Sequence, residues 1–241
     1  LGKRTSVYNR IKSKITAYIE HRFYQRIFEK SINTIKNNKY IYFPLPMEPE
    51  YNTHSLSKEF INIYAMIQQV AISMPSGYNL VIKEHTPNIG KKTRDFYTRL
   101  QKMPNLIIAN YLISGPLLID NAEAIVTVAG SSAIEAAERG KMAVVFATSS
   151  DFFGLSNIIL GHSMRDLPKV LLEAIKEISL DKKNEIIYES KLLKLIYKKI
   201  GYYAPDTPLF RGKSDKIADN ELKKAVDALI IIWKLQRNNI E

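Results

Sequence analysis

The chain has 241 residues, 46% of them hydrophobic and 24% charged, with no cysteine and a formal net charge of +11. It can bury the core of one large domain or of a domain with appendages, and without cysteine it has neither disulfides nor thiolate metal sites, as in a reducing compartment. No apolar run approaches the roughly 20 residues that cross a bilayer; the longest notable one is ALIIIW at 228–233.

The charge lies at the ends. Residues 1–40 hold ten Lys/Arg against two Asp/Glu, residues 41–180 hold twelve against thirteen, and residues 181–241 hold thirteen against nine. A central nucleic-acid groove would load the middle with interleaved basic and aromatic residues, so nucleic acid is not the expected partner. Basic ends suit an anionic membrane surface or an acidic partner, and equally the plain solvated faces of helices.

The chain begins LGKRT, without an initiator methionine and without a secretory signal, so it reads as a processed or partial protein whose expected compartment is the cytoplasm. Residues 1–38 form a helical N-terminal segment of one or two helices, because Tyr8, Ile11, Ile15, Ile19, Phe23, Ile27, Phe28, Ile32 and Ile35 recur at helical spacing. From residue 39 to about 180 the pattern becomes short apolar runs alternating with helical stretches. The expected strands are 39–44, 79–84, 105–110, 124–129 and 142–147, with helices near 57–74, 91–102, 115–121 and 132–139. Continuous apolar strands alternating with helices predict an α/β fold: a doubly wound, Rossmann-like parallel sheet of about five strands, covered on both faces. After residue 150 the pattern turns helical, over 165–179, 183–200 and 217–238, with a loop at GYYAPDTPLFRGK. Residues 181–241 are expected to pack on the domain or to cross to a preceding one.

In such sheets ligands bind beyond the carboxyl ends of the strands, which turns the strand assignments into a set of candidate loops. Gly130-Ser131-Ser132 follows the fourth expected strand and opens a helix, where free amides, the helix dipole and two hydroxyls suit a phosphate. The plain alternative is a helix cap, with Glu135 at capping-box spacing from Ser132. Neither a dinucleotide fingerprint nor a Walker loop is present. His85 closes VIKEHTP beside Lys83 and Glu84, where an imidazole can donate to phosphate or act as acid or base; the alternative is a structural histidine. His21, His54 and His162 show no ligand spacing with it, so no metal is expected. Glu48 and Glu50, held by Pro46 and Pro49 after the first strand, are either acids presented to a cleft or solvated loop residues.

The ordered set YIYFPLPMEPE, LVIKEHTPNIG and NLIIAN…SGPLLIDNAEAIVTVAGSSAIEAAERGKMAVVF, across residues 39 to 180, resembles the nucleotide-binding half of capsule polysaccharide biosynthesis proteins of the Kdo-transferase type, and more broadly GT-B glycosyltransferases. The resemblance implies the donor-nucleotide domain of a metal-independent enzyme of capsular or surface polysaccharide synthesis. Such an enzyme moves a sugar from a nucleotide-sugar, CMP-linked donors among them, to a glycan or glycolipid acceptor at the inner face of the membrane, and needs no cofactor. It places Lys83, His85, Gly130, Ser131 and Ser132 on the phosphate and nucleotide, with His85 in a catalytic role, and Glu135 on the ribose. This chain reads His85-Thr86-Pro87 where the family usually has His-Pro. A full GT-B enzyme has a preceding acceptor-binding domain that commonly supplies the catalytic base, and residues 1–38 are too few to form one. Rival readings are a nucleotide-sugar 2-epimerase, a teichoic-acid-type polymerase, and a non-catalytic interaction module acting through the basic ends.

Overall fold

A computed structural model describes residues 22–30, 32–46, 62–128, 131–146, 155–161 and 163–199, with side chains up to residue 194. Short runs of β-branched and aromatic residues form six strands: β1 (Tyr40–Pro44), β2 (Asn79–Lys83), β3 (Leu106–Ile108), β4 (Ala124–Thr127), β5 (Ala143–Val145) and β6 (Ile158–Leu160). All pair in parallel, in the order β3-β2-β1-β4-β5-β6. The register places Ile41 of β1 opposite Leu80 on one side and Ala124 on the other.

The winding explains why these strands are apolar throughout. Alternate residues of β1 enter opposite layers: Ile41 and Phe43 join one core cluster, Tyr40 and Tyr42 the other. The first cluster is closed by α2 (Ile63–Ile72), α3 (Arg94–Leu100) and α6 (Leu167–Ala174) through residues such as Ile67, Leu100 and Leu171. The second is closed by α1 (Ile32–Ile35), α4 (Gly115–Asn121), α5 (Ser132–Ala137) and α7 (Leu180–Lys199), through Ile35, Leu118, Ala133 and Ile186. With both faces covered, the inner strands β1, β4 and β5 have no solvent side, so the polar alternation of a half-exposed sheet is missing.

The doubly wound parallel architecture follows the expectation, with one correction: the sheet has six strands. β6 lies in a region whose sequence pattern is helical. It is a three-residue edge strand held by β5 alone, with Leu160 exposed, too short to imprint a periodicity. The helix expected over 165–179 is a 3-10 turn at Met164–Asp166 followed by α6, with Pro168 in its first turn. Ile27 of the helical stretch 22–27 and Phe28 just after it, like Ile186 and Leu193 of α7, are buried in the sheet's own layers. The helix expected at 217–238 lies outside the described residues. No helix among the described residues is long and apolar enough to cross a membrane.

α5 stops at a left-handed glycine. Gly140 has φ +61, and a Cβ built there would stand 3.1 Å from Lys183 Cβ and 3.3 Å from Lys183 O on α7. Gly77, with φ +81, faces open space. Gly140→Ala is therefore expected to cost about 2 kcal/mol, lowering Tm by roughly 4–8 °C, whereas Gly77→Ala bears only the conformational penalty of about 1 kcal/mol. Thermal unfolding of the two variants tests the contact.

Candidate functional site

The strand order reverses between β1 and β4. Chain segments leaving these two strands diverge to opposite sides, and the crevice they open is where an open α/β sheet receives a ligand. Its described walls are Leu45 and Pro46 after β1, Val128 after β4, and Ser131 at the mouth of α5. β2, neighbour of β1, ends at the same edge with Lys83, Glu84 and His85.

Ser131 and Ser132 are not used as helix caps. Ser131 occupies the N-cap position with φ −57 and ψ −15, inside the helical region, and its side chain makes no capping bond. Ser132 is 8% exposed and its Oγ has no hydrogen-bond partner. The alternative, a capping box, does not form: Glu135 pairs with the Ser131 hydroxyl, which donates to Oε1 at 3.5 Å. The physical reason is the helical backbone of Ser131, whereas a capping hydroxyl acts from an extended N-cap residue. Among the described residues the Ser131 hydroxyl thus makes one long bond and the enclosed Ser132 Oγ makes none.

Glu135 sits among cations. Burial raises its pKa, and Arg139, the Ser131 hydroxyl, Lys194 and Lys83 work against that rise. Lys83 in turn is lowered by burial and supported by Glu135 and Glu84. Lys83 from β2 is thus within electrostatic reach of Glu135 from α5. Arg139 is itself anchored: its guanidinium donates to Asp120 Oδ1 at 2.6 Å and to the Glu135 carbonyl at 2.7 Å, tying α5 to α4. Lys194 reaches over from α7 to pair with Glu138. The Glu135 carboxylate itself accepts only the long bond from Ser131 among the described residues.

His85 stands at the rim, exposed over much of its surface yet set close enough to the protein that desolvation lowers its pKa; Lys83 adds to this, Glu84 opposes it, and Lys92 lowers it further. These effects favour the neutral imidazole, which can take up a proton when an anion arrives.

Sequence reading passes over the group that holds this rim in place. Glu84 is fully buried and its carboxylate accepts from Lys92 Nζ at 3.0 Å, Tyr97 Oη at 2.9 Å, the His85 backbone N–H at 3.1 Å and Asn88 Nδ2 at 3.5 Å. Asn88 also donates to the Pro46 carbonyl at 3.2 Å, joining the loop after β2 to the loop after β1. The available signal is a charged residue ending an apolar strand with paired lysines eight residues on, but a single sequence does not distinguish that from a solvated glutamate.

The structure thus brings Lys83, His85, Ser131, Ser132 and Glu135 to one edge. Gly130, Glu48 and Glu50 lie outside the described residues, as do His21, His54 and His162. Among the described residues no three His, Asp or Glu side chains gather as a metal site requires.

Residues 3–159 match the family model described as capsule polysaccharide biosynthesis protein. No curated protein matches the chain. Among solved structures, similar chains include Anabaena HepE in complex with UDP-glucose (13% identity, 72% of this chain and 48% of that one, TM-score 0.45). Others are S. aureus MnaA with UDP (14%, 78% and 52%, 0.45) and the Methanocaldococcus jannaschii UDP-GlcNAc 2-epimerase with UDP-GlcNAc and UDP (17%, 70% and 50%, 0.44). The chain spans about half the length of these structures.

Glu84→Ala would remove the buried carboxylate that pairs with Lys92 and accepts from Tyr97, and an expected loss of about 3–5 kcal/mol follows. Glu84→Gln combined with Lys92→Met removes both charges and should recover much of it; denaturant unfolding of the three proteins reads the difference.

Proposed function

The chain belongs to the capsule polysaccharide biosynthesis protein family, and from that membership and the placement of the site we propose that it is the donor-nucleotide half of a GT-B glycosyltransferase of capsular or surface polysaccharide synthesis. The observation that carries the reading is the pair Ser131-Ser132. Two hydroxyls make no capping bond at the mouth of α5, beside the switch point of the sheet, with Lys83 and His85 on the neighbouring strand end.

In this reading the donor phosphate lies against Ser131, Ser132 and the Gly130 turn, with Lys83 and His85 supplying positive charge, while Glu135 accepts from the ribose. When the acceptor hydroxyl oxygen bonds to the anomeric carbon, the bond from that carbon to the phosphate oxygen breaks and its electron pair stays on the phosphate. Negative charge grows there, so donors already fixed in place lower the barrier. His85 is the catalytic residue of this set, gaining a proton or donating its N–H as the phosphate departs. The acceptor, a glycan or glycolipid, and the base that takes its proton are assigned to the other half of the enzyme. Transfer needs no metal, the cationic role being filled by Lys83 and His85. CMP-linked sugars are the first donors to test, and the basic chain ends suit action at the cytoplasmic face of an anionic membrane.

Calorimetric titration with CMP, CDP, UDP and GDP, with magnesium and with EDTA, is the direct test. One nucleotide is expected to bind equally in both buffers; binding of none overturns the reading, and binding only with magnesium overturns its metal independence. Ser131→Ala with Ser132→Ala should raise the Kd on the order of a hundredfold, two bonds to a charged group being lost, and unchanged affinity in the folded double variant removes the serines from the site.

The affinity should also follow His85. Its free-state pKa lies below the ordinary 6.5, and a bound phosphate raises it. The gain in affinity is therefore complete below the free-state pKa and fades as pH rises through the bound-state value. Titrations from pH 5.5 to 8 should show this slope, and His85→Gln should flatten it.

A further inference from the structure

Two tyrosines of β1 face the same layer of the core and use their hydroxyls differently. Tyr40 donates to the Leu118 carbonyl of α4 at 2.7 Å. Tyr42, two residues on and 2% exposed, has no hydrogen-bond partner for its hydroxyl among the described residues.

The surroundings show where this hydroxyl points. A Cβ built on Gly115, the first residue of α4, would stand 4.0 Å from it and is the only feature of that glycine's vicinity within contact range. The phenol is also close enough to Glu135 of α5 for the carboxylate charge to raise its pKa, after the larger effect of burial. The hydroxyl therefore lies between the first turns of α4 and α5, in the strand at the switch point, with a residue lacking a side chain in front of it. Within electrostatic reach stands the Glu135 carboxylate, which accepts one long hydrogen bond among the described residues.

We infer that Tyr42 is a ligand-binding residue whose hydroxyl donates to the ribose diol of the bound nucleotide, opposite the Glu135 carboxylate that accepts from it. The inference rests on the donor-nucleotide reading above. Its chemical basis is complementarity: each hydroxyl of a diol both donates and accepts, a carboxylate can only accept, and the phenol supplies the missing donor.

The experiment is a titration of Tyr42→Phe with whichever of CMP, CDP, UDP and GDP binds the unsubstituted chain, and with that nucleotide's 2′-deoxy and 3′-deoxy forms. Tyr42→Phe should keep the Tm of the unsubstituted protein, since the lost hydroxyl held nothing in the fold, whereas Tyr40→Phe should lower it. Tyr42→Phe should raise the Kd of the ribonucleotide roughly three- to tenfold, and the increase should disappear with one of the deoxy forms. An unchanged Kd, or the same increase with all three ligands, overturns the inference while leaving the donor-nucleotide reading intact. Failure of all four nucleotides to bind the unsubstituted chain overturns that reading and this inference with it. If Tyr42→Phe does not fold, Gly115→Ala makes the same comparison by filling the space in front of the hydroxyl: it should weaken the ribonucleotide more than the matching deoxy form, and equal effects overturn the inference.

Discussion

The molecule is organised by the requirement that parallel strands be joined by crossovers of one hand. A sheet that grows from β1 toward β2 and β3 carries its connecting helices on one face, and growth from β4 toward β5 and β6 with the same hand must carry them on the other. The two core layers follow that division: α2 and α3 lie in one, α4 and α5 in the other. Between β1 and β4 the connections part, which in an open parallel sheet opens a gap at the strand ends. The crevice is thus a product of chain handedness, formed before any side chain is specialised. What the residues add is the chemistry of its rim.

That rim is stiffened by a buried charge. Taking a carboxylate fully out of water is unfavourable by several kcal/mol unless its oxygens are saturated, and Glu84 has a cation, a phenol, a backbone amide and a side-chain amide around it. An apolar residue would pack there without that penalty. It could not also direct the His85 backbone and, through Asn88, hold the loop after β1. The network favours a fixed geometry over maximal stability. A site that stabilises developing charge works through donors already oriented before the reaction, so fixed geometry is the property such a rim requires.

The strands were legible in the sequence because the fold buries them on both faces, leaving apolar runs such as NLVIK and AIVT with little else to be. The order of the strands was not, since it depends on Ile41 choosing Leu80 and Ala124 as neighbours across long separations that leave no periodic trace. β6 escaped for the opposite reason: its pairing is simple, but three residues are too few to carry a pattern. Ser131 and Ser132 were legible as the mouth of a helix. Their freedom from capping was not, because the spacing of Ser132 and Glu135 suits a capping box and only the helical backbone of Ser131 rules it out. Glu84 was visible as a neighbour of His85, while its partners come from a loop and from α3, at separations of eight and thirteen residues.

Tyr40 and Tyr42 carry this difference between pattern and use to its limit. In the run YIYFP they are equivalent: same residue type, same face, both buried. Strand periodicity fixes which layer a side chain enters, but only the layer's other elements decide what its polar tip meets. The hydroxyl of Tyr40 meets a helix carbonyl in the middle of α4, and the group becomes part of the fold. One strand step nearer the crevice, α4 is only beginning, its first residue has no side chain, and the hydroxyl of Tyr42 meets no described partner. A ligand site of this architecture therefore needs no special strand. The same residue type that locks the sheet to a helix in one place is left without a described partner once the helix starts level with it, and the position of that start is set by the crossover winding.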